Sequence, residues 1–305
     1  MGERRYLIYD VFTDEKLAGN PLAIVLDGQG LDDGAMQRVA AEFNLSETVF
    51  VTPAARSVHA AAIRIFTPKY ELPFAGHPTV GTAVALAERA AAAGDGKAAL
   101  LVIEERIGDV RCAVTRGDGA TYAEFDLPKL SEPLDIAVDA EAVAAALGLG
   151  PHEIGFENHR PGLWSGGVAY LTVPVAGLDA IGRIRFDGPA WTGLAPRRGA
   201  DETACAYVYC REAVRHDSAF HARMFVPGPP TYEDPATGSA VAAFSGAIAA
   251  FDRPPDGAHL YWIEQGLEMG RPSRIRLEIE VERHAIRHAR IGGHAVKVAE
   301  GMLSL

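Results

Sequence analysis

Ala240-Val241-Ala242-Ala243-Phe244-Ser245-Gly246-Ala247-Ile248-Ala249-Ala250-Phe251 carries ten apolar residues in twelve and has no polar face. A helix that is apolar on every side has to be surrounded by protein. Thr82-Ala83-Val84-Ala85-Leu86-Ala87 is a second stretch of the same small, apolar kind. Both sit in β-rich sequence. The pattern predicts an α+β fold of two halves, each a curved, mostly antiparallel sheet wrapped barrel-like round a central helix, with alanine letting the sheet come close. The same residues leave open a layered α/β sandwich with both helices between sheets.

Outward from each helix the chain repeats a device. Arg64-Ile65-Phe66-Thr67-Pro68 precedes Ala75-Gly76-His77-Pro78-Thr79-Val80-Gly81-Thr82-Ala83, and Arg223-Met224-Phe225-Val226-Pro227 precedes Glu233-Asp234-Pro235-Ala236-Thr237-Gly238-Ser239-Ala240. Each reads as a strand ending Arg-x-Phe-x-Pro, a loop, and a polar Pro-containing turn that opens an apolar helix. Pro just inside a helix start and Gly nearby leave backbone N–H groups free at the positive end of the helix dipole, and such ends bind anions. Two of them would hold a small carboxylate. Only these segments match, so coincidence is the competing reading of the repeat.

The remaining sequence supplies the strands. Tyr6–Phe12, Leu22–Leu26, Thr48–Thr52, His59–Thr67, Leu100–Val114 with a Gly108-Asp109 turn, and Thr121–Leu127 read as β; Asp32–Phe43 reads as an amphipathic helix. In the second half Ala140–Leu147, a short piece near Leu178–Ile184 and Pro235–Phe251 read as helices. Val168–Val175, Ala204–Cys210, His221–Val226, His259–Glu264 and Ser273–Glu282 read as strands. Leu127-Pro128-Lys129-Leu130-Ser131-Glu132-Pro133 reads as a linker. Residues 1–127 then form the N-terminal half and 128–305 the C-terminal half, with the tail 294–305 free to pack on either.

With 305 residues there is chain enough for two cores. A net charge of −11 without a basic run argues against nucleic acid as a partner. The absence of an 18-residue apolar run argues against a membrane span, and the chain reads as cytoplasmic. Cys112, Cys205 and Cys210 lie in strand-like contexts and read as buried free thiols.

Glu47, in Leu45-Ser46-Glu47-Thr48-Val49, stands where a helix gives way to a strand; partial desolvation there would raise a carboxyl toward a range useful for proton transfer. Pairing with a nearby Arg is its structural reading. His77 and Asp234 occupy matching places, each before a Pro; Asp is a favoured N-cap and His a poorer one, which turns His77 toward a ligand role. Asn20 is a turn residue in Gly19-Asn20-Pro21, and Ser239 and Thr82 could cap a helix or reach a ligand. His284, His288 and His294 suggest a metal, but strand residues four apart lie about 13 Å apart, whereas metal ligands approach to about 2 Å. No metal is expected. No nucleotide-binding glycine loop occurs, and Gly94-Asp95-Gly96-Lys97 reads as a helix stop and turn.

These segments, in this order, resemble the PhzF family of phenazine-biosynthesis-like isomerases and epimerases, related to diaminopimelate epimerase. Asp10-Val11-Phe12 with Gly19-Asn20-Pro21, Ser46-Glu47-Thr48, Glu71 through Thr79, Glu233 through Ala240, and Gln265-Gly266 with Gly270-Arg271-Pro272-Ser273 carry the resemblance. It implies two pseudo-symmetric halves with a site in the cleft between them, homodimers, and no cofactor. It further implies Glu47 as the acid/base catalyst, with His77 and Asp234 beside it. Asn20, Gly76, Thr237, Gly238 and Ser239 would bind a small carboxylate substrate. The related racemases place a reactive Cys near each central-helix start; here Gly76-His77 and Asp234 stand there instead. One Glu suits an isomerase that moves a proton between carbons. An amino-acid epimerase or racemase, or a non-catalytic metabolite-binding protein, are the alternatives.

Overall fold

The chain divides into two units, Met1–Pro128 with Gly292–Leu305 and Lys129–Ile291. The computed structural model describes residues 2–92, 98–117, 119–196 and 203–305. The turn read at Gly94-Asp95-Gly96-Lys97 lies outside the described residues.

In the first unit β1 (Glu3–Val11) and β2 (Asn20–Val25) run antiparallel. Asp32 starts α1 (Asp33–Phe43) by accepting the Ala35 N–H, and Asn44 ends it in the left-handed region at φ 51°. The return strand β3 (Glu47–Thr52) is therefore parallel to β2. β4 (Ala61–Phe66) and the two-residue β5 (Glu71–Leu72) follow, then α2 (Gly76–Ala92). β6 (Ala98–Glu105), β7 (Gly108–Thr115) and β8 (Thr121–Asp126) form a meander, with β6 parallel to β4. The last strand of the chain pairs with both β8 and β1, Ala295 facing Val11 and Ser304 facing Glu3. The ring closes, and a closed sheet has no edge to protect. α2 runs inside it, against β1, β2, β3, β6, β7 and β8, and every residue from Gly76 to Ala85 is buried. Gly81 shows how close the sheet comes: a Cβ there would lie 2.7 Å from the side chains of Val11 and Leu22.

The second unit holds β9 (Glu132–Leu134), α3 (Ala140–Leu147), β10 (Gly162–Ser165), β11 (Ala169–Pro174), α4 (Leu178–Gly182) and α5 (Gly188–Leu194). Then come β12 (Cys205–Cys210), β13 (Phe220–Val226), β14 (Tyr232–Asp234), α6 (Gly238–Asp252), β15 (Gly257–Gln265) and β16 (Ser273–Glu282). β17 (Ala285–Ser304) is the last strand already met, and its residues as far as Ile291 belong here. α6 packs on β9, β10, β11 and β16, with Phe244 among the rings of Tyr207, Tyr209 and Phe220. The side helices α3, α4 and α5 cover the outer face around the buried Trp191.

The units repeat one another pairing by pairing. The parallel pair β2–β3 corresponds to β11–β12, β4–β6 to β13–β15, and the meander of β6 and β7 to β15 and β16. Side chains repeat too. Arg64 grips Glu71 through two N–H groups and stacks on Phe66; Arg223 does the same with Glu233 and Phe225. Coincidence does not produce that.

The register corrects one equivalence read from sequence. Phe66 faces Glu71 and Phe225 faces Glu233, so Asp234 corresponds to Leu72, Gly238 to Gly76, and Ser239 to His77. The prolines misled the comparison: Pro78 lies inside α2, whereas Pro235 lies in the turn before α6, which starts at Gly238. His77 and Asp234 are not counterparts. All three cysteines are buried and free, as expected.

Candidate active site

In the first unit Glu47 opens β3 and His77 is the second residue of α2. Glu47 Oε2 lies 3.3 Å from His77 Nε2, with the side chains 16% and 6% exposed. Burial pulls the His77 imidazole down to about 3, so near neutrality it is a neutral ring. The contact is therefore between a carboxyl group and an uncharged imidazole, not an ion pair. Gly76 is the first residue of α2 and is buried. Asn20 begins β2 and is fully buried, set by Gly19 at φ 63°, where a Cβ would come within 2.4 Å of the Val11 carbonyl. Because β2 and β3 pair with Leu22 opposite Glu47, Asn20 stands two residues along the neighbouring strand.

In the second unit Asp234 ends β14 and is 7% exposed. Its Oδ2 accepts from the Thr237 hydroxyl at 2.5 Å. Gln265 donates from Nε2 to the Asp234 carbonyl at 2.7 Å and to Thr237 Oγ1 at 3.1 Å. Thr237 is thus fixed as the residue before α6, whose first residues are Gly238 and Ser239. Ser239 Oγ is 2.7 Å from the Tyr170 hydroxyl. At the register position of Glu47 this unit holds the buried Cys205, so it has no second carboxylate there.

The predicted residues thus fall into two sets, Asn20, Glu47, Gly76 and His77 in one unit, and Asp234, Thr237, Gly238 and Ser239 in the other. Sequence reasoning missed two groups that hold these turns, Tyr170 and Gln265. Gln265 was visible as part of a family motif; nothing marked Tyr170. Among the described residues one group has metal-ligand geometry, Glu157, His159 and Asp252. It is not a metal centre, because the Arg211 guanidinium already occupies it, 2.5 Å from Asp252 and 3.2 Å from His159.

The family model described as phenazine biosynthesis-like protein matches residues 9–301. The chain is 65% identical to an uncharacterised isomerase of Mesorhizobium japonicum, over 99% of both chains. It is 34% identical to a trans-2,3-dihydro-3-hydroxyanthranilate isomerase of Pseudomonas aeruginosa, over 97% of this chain and 98% of the other. A Bacillus anthracis protein of the PhzF family superimposes with a TM-score of 0.87 at 28% identity, all of both chains being covered. Match, identity and shared fold run the length of the chain, and it belongs to the phenazine biosynthesis-like, or PhzF, family of isomerases.

Proposed function

We propose that this isomerase moves a proton between carbons of a small carboxylic acid, with Glu47 as the single acid/base group and no cofactor. One observation carries the reading: a partly shielded carboxyl sits 3.3 Å from a neutral imidazole at the start of α2. The substrate carboxylate docks on the backbone N–H groups at Gly76 and His77, where the helix dipole favours an anion. The Glu47 carboxylate takes a proton from a carbon acidified by conjugation, the C–H pair shifts along the conjugated system, and the Glu47 acid returns that proton to another carbon. Charge and atoms balance, and the product is an isomer. His77, neutral throughout, packs against Glu47 at 3.3 Å and orients it. Asn20, Asp234, Thr237, Gly238 and Ser239 also contact the substrate in this reading, as the resemblance implies. It further includes homodimers and a cytoplasmic location; no described helix is long and apolar enough to cross a membrane.

The experiment is a screen of small carboxylic acids, trans-2,3-dihydro-3-hydroxyanthranilate among them, followed by proton NMR in D2O. An acid present at 100 times its Kd raises stability by roughly 2.7 kcal/mol and is seen as a thermal shift. Migration of a C–H to a new carbon supports the reading. Inversion at one carbon would replace it with an epimerase, and binding without C–H chemistry with a metabolite-binding protein.

A further inference from the structure

The internal repeat sets one buried carboxyl in register with an amide. β13 and β15 pair Phe220 with Ile263 and His221 with Glu264; β4 and β6 pair Ala61 with Ile103 and Ala62 with Glu104. Glu104 and Glu264 match in their partners as well. Each accepts two loop N–H groups, from Ala55 and Arg56 or from Val214 and Arg215. Each also lies 2.8 Å from a histidine Nδ1, of His59 or of His221. The next residue is Glu105 in the first unit and Gln265 in the second.

Both act on a threonine at the start of the central helix, Thr237 just before α6 and Thr79 in the first turn of α2. Gln265 does so through its amide N–H on Thr237 Oγ1, whose own proton goes to Asp234. Glu105 Oε1 lies 2.8 Å from Thr79 Oγ1, which is itself 2.8 Å from the Ala75 carbonyl oxygen. The Thr79 hydroxyl has one proton and cannot serve two acceptors at once. Glu105 Oε2 finds no hydrogen-bond partner, and among the described residues no cation pairs with this carboxyl, which is 9% exposed. One proton on Glu105 resolves the count. Glu105 then donates to Thr79, and Thr79 to Ala75, in the same order as Gln265, Thr237 and Asp234.

We propose that Glu105 is a protonated carboxylic acid at neutral pH, a positioning residue that does for α2 what the amide of Gln265 does for α6, clamping the turn that presents Gly76 and His77. Burial pushes Glu105 up to about 8, with the Thr79 hydrogen bond pulling the other way. The Cys112 thiol on β7 lies near it, pushed up by burial first and then by the charges of Glu105 and Asp126. An ionised Glu105 would put a negative charge against the helix end that receives the substrate carboxylate. The protonation state stands apart from the proposed reaction; the positioning role rests on it.

Infrared difference spectra between the wild type and Glu105→Gln test the protonation directly. A protonated carboxyl band belonging to Glu105 is expected at pH 7, fading as pH passes 8; a carboxylate band at pH 7 in its place overturns the proposal. In urea denaturation Glu105→Gln should gain on the wild type steadily from pH 4.5 to 8 and keep that lead above 8, and parallel curves between pH 5 and 8 would contradict the proton. For the positioning role, kcat/KM of Glu105→Gln relative to wild type should be near unity at pH 7 and rise to about tenfold at pH 9, one pH unit beyond the transition. A constant ratio removes that role. If no acid is isomerised by the wild type, the proposed reaction fails while the spectra and denaturation curves still decide the proton.

Discussion

A histidine beside a carboxylate is ordinarily raised and charged, and His77 goes the other way. It is buried among α2 and the strands around it, and desolvation outweighs its one acidic neighbour, holding it near 3. The expected consequence is a pH–rate profile whose acid limb belongs to Glu47, with no histidine ionisation between pH 5 and 8. A 15N titration of His77 should show a neutral ring down to about pH 4; protonation near 6.5 would contradict this account. Replacing the ring by alanine should cost roughly 10- to 100-fold in turnover by loosening Glu47, with little loss of fold. The sequence singled out Glu47 and His77 as candidates, but a glutamate at a helix–strand junction has an ordinary structural reading, and only the resemblance to the PhzF family turned it toward catalysis. Their contact was not legible, because it depends on how β3 and α2 come together.

Among the elements, the two central helices were readable from alanine content and the missing polar face. Their starting points were not. Pro78 lies within α2 and Pro235 outside α6, so matching the two prolines shifted one helix against the other. The turn joining β16 to β17 was invisible for a different reason. Arg283 and His284 both take positive φ, 52° and 64°, without the Gly or Asn that normally announces such a hairpin. The closeness of sheet to helix can be tested at Gly246, where a Cβ would meet Ser131 Oγ at 2.5 Å and the Trp164 ring at 2.6 Å. Gly246→Ala should destabilise by about 1–3 kcal/mol through overpacking, despite a helix-propensity gain of roughly 1 kcal/mol. Urea midpoints would check it, and a stabilised variant would show that the sheet has room. Removing Arg223, 9% exposed and doubly bonded to Glu233, should cost about 3–5 kcal/mol by stranding a shielded carboxylate.

At the scale of the whole molecule, two units built on one plan carry different titrating groups. His221 lies between Glu264 and Glu268 at 2.8 and 2.9 Å, and despite its burial their hydrogen bonds and charges raise it to about 9. Its contribution to stability is fully present below 6.5, the unfolded value, and is lost as pH rises through 9. Glu264 and Glu268 are lowered in spite of their own burial, by hydrogen bonds to His221 first, so their contribution holds above 4.5 and is lost as pH falls. Glu105 adds to the alkaline loss, because its raised carboxyl favours the folded chain only while protonated, and that advantage goes between 4.5 and about 8. Thermal denaturation should therefore show the highest Tm between about pH 4.5 and 6.5 and a fall of several degrees by pH 9.5; a flat profile would contradict these assignments. The central claim is that one glutamate moves the proton. It is tested most directly by comparing wild type with Glu47→Gln on any acid the wild type isomerises, measuring turnover and Kd together. Turnover should fall by about 10²–10⁴-fold, with Kd held within a few-fold. Wild-type turnover in that variant would contradict the account.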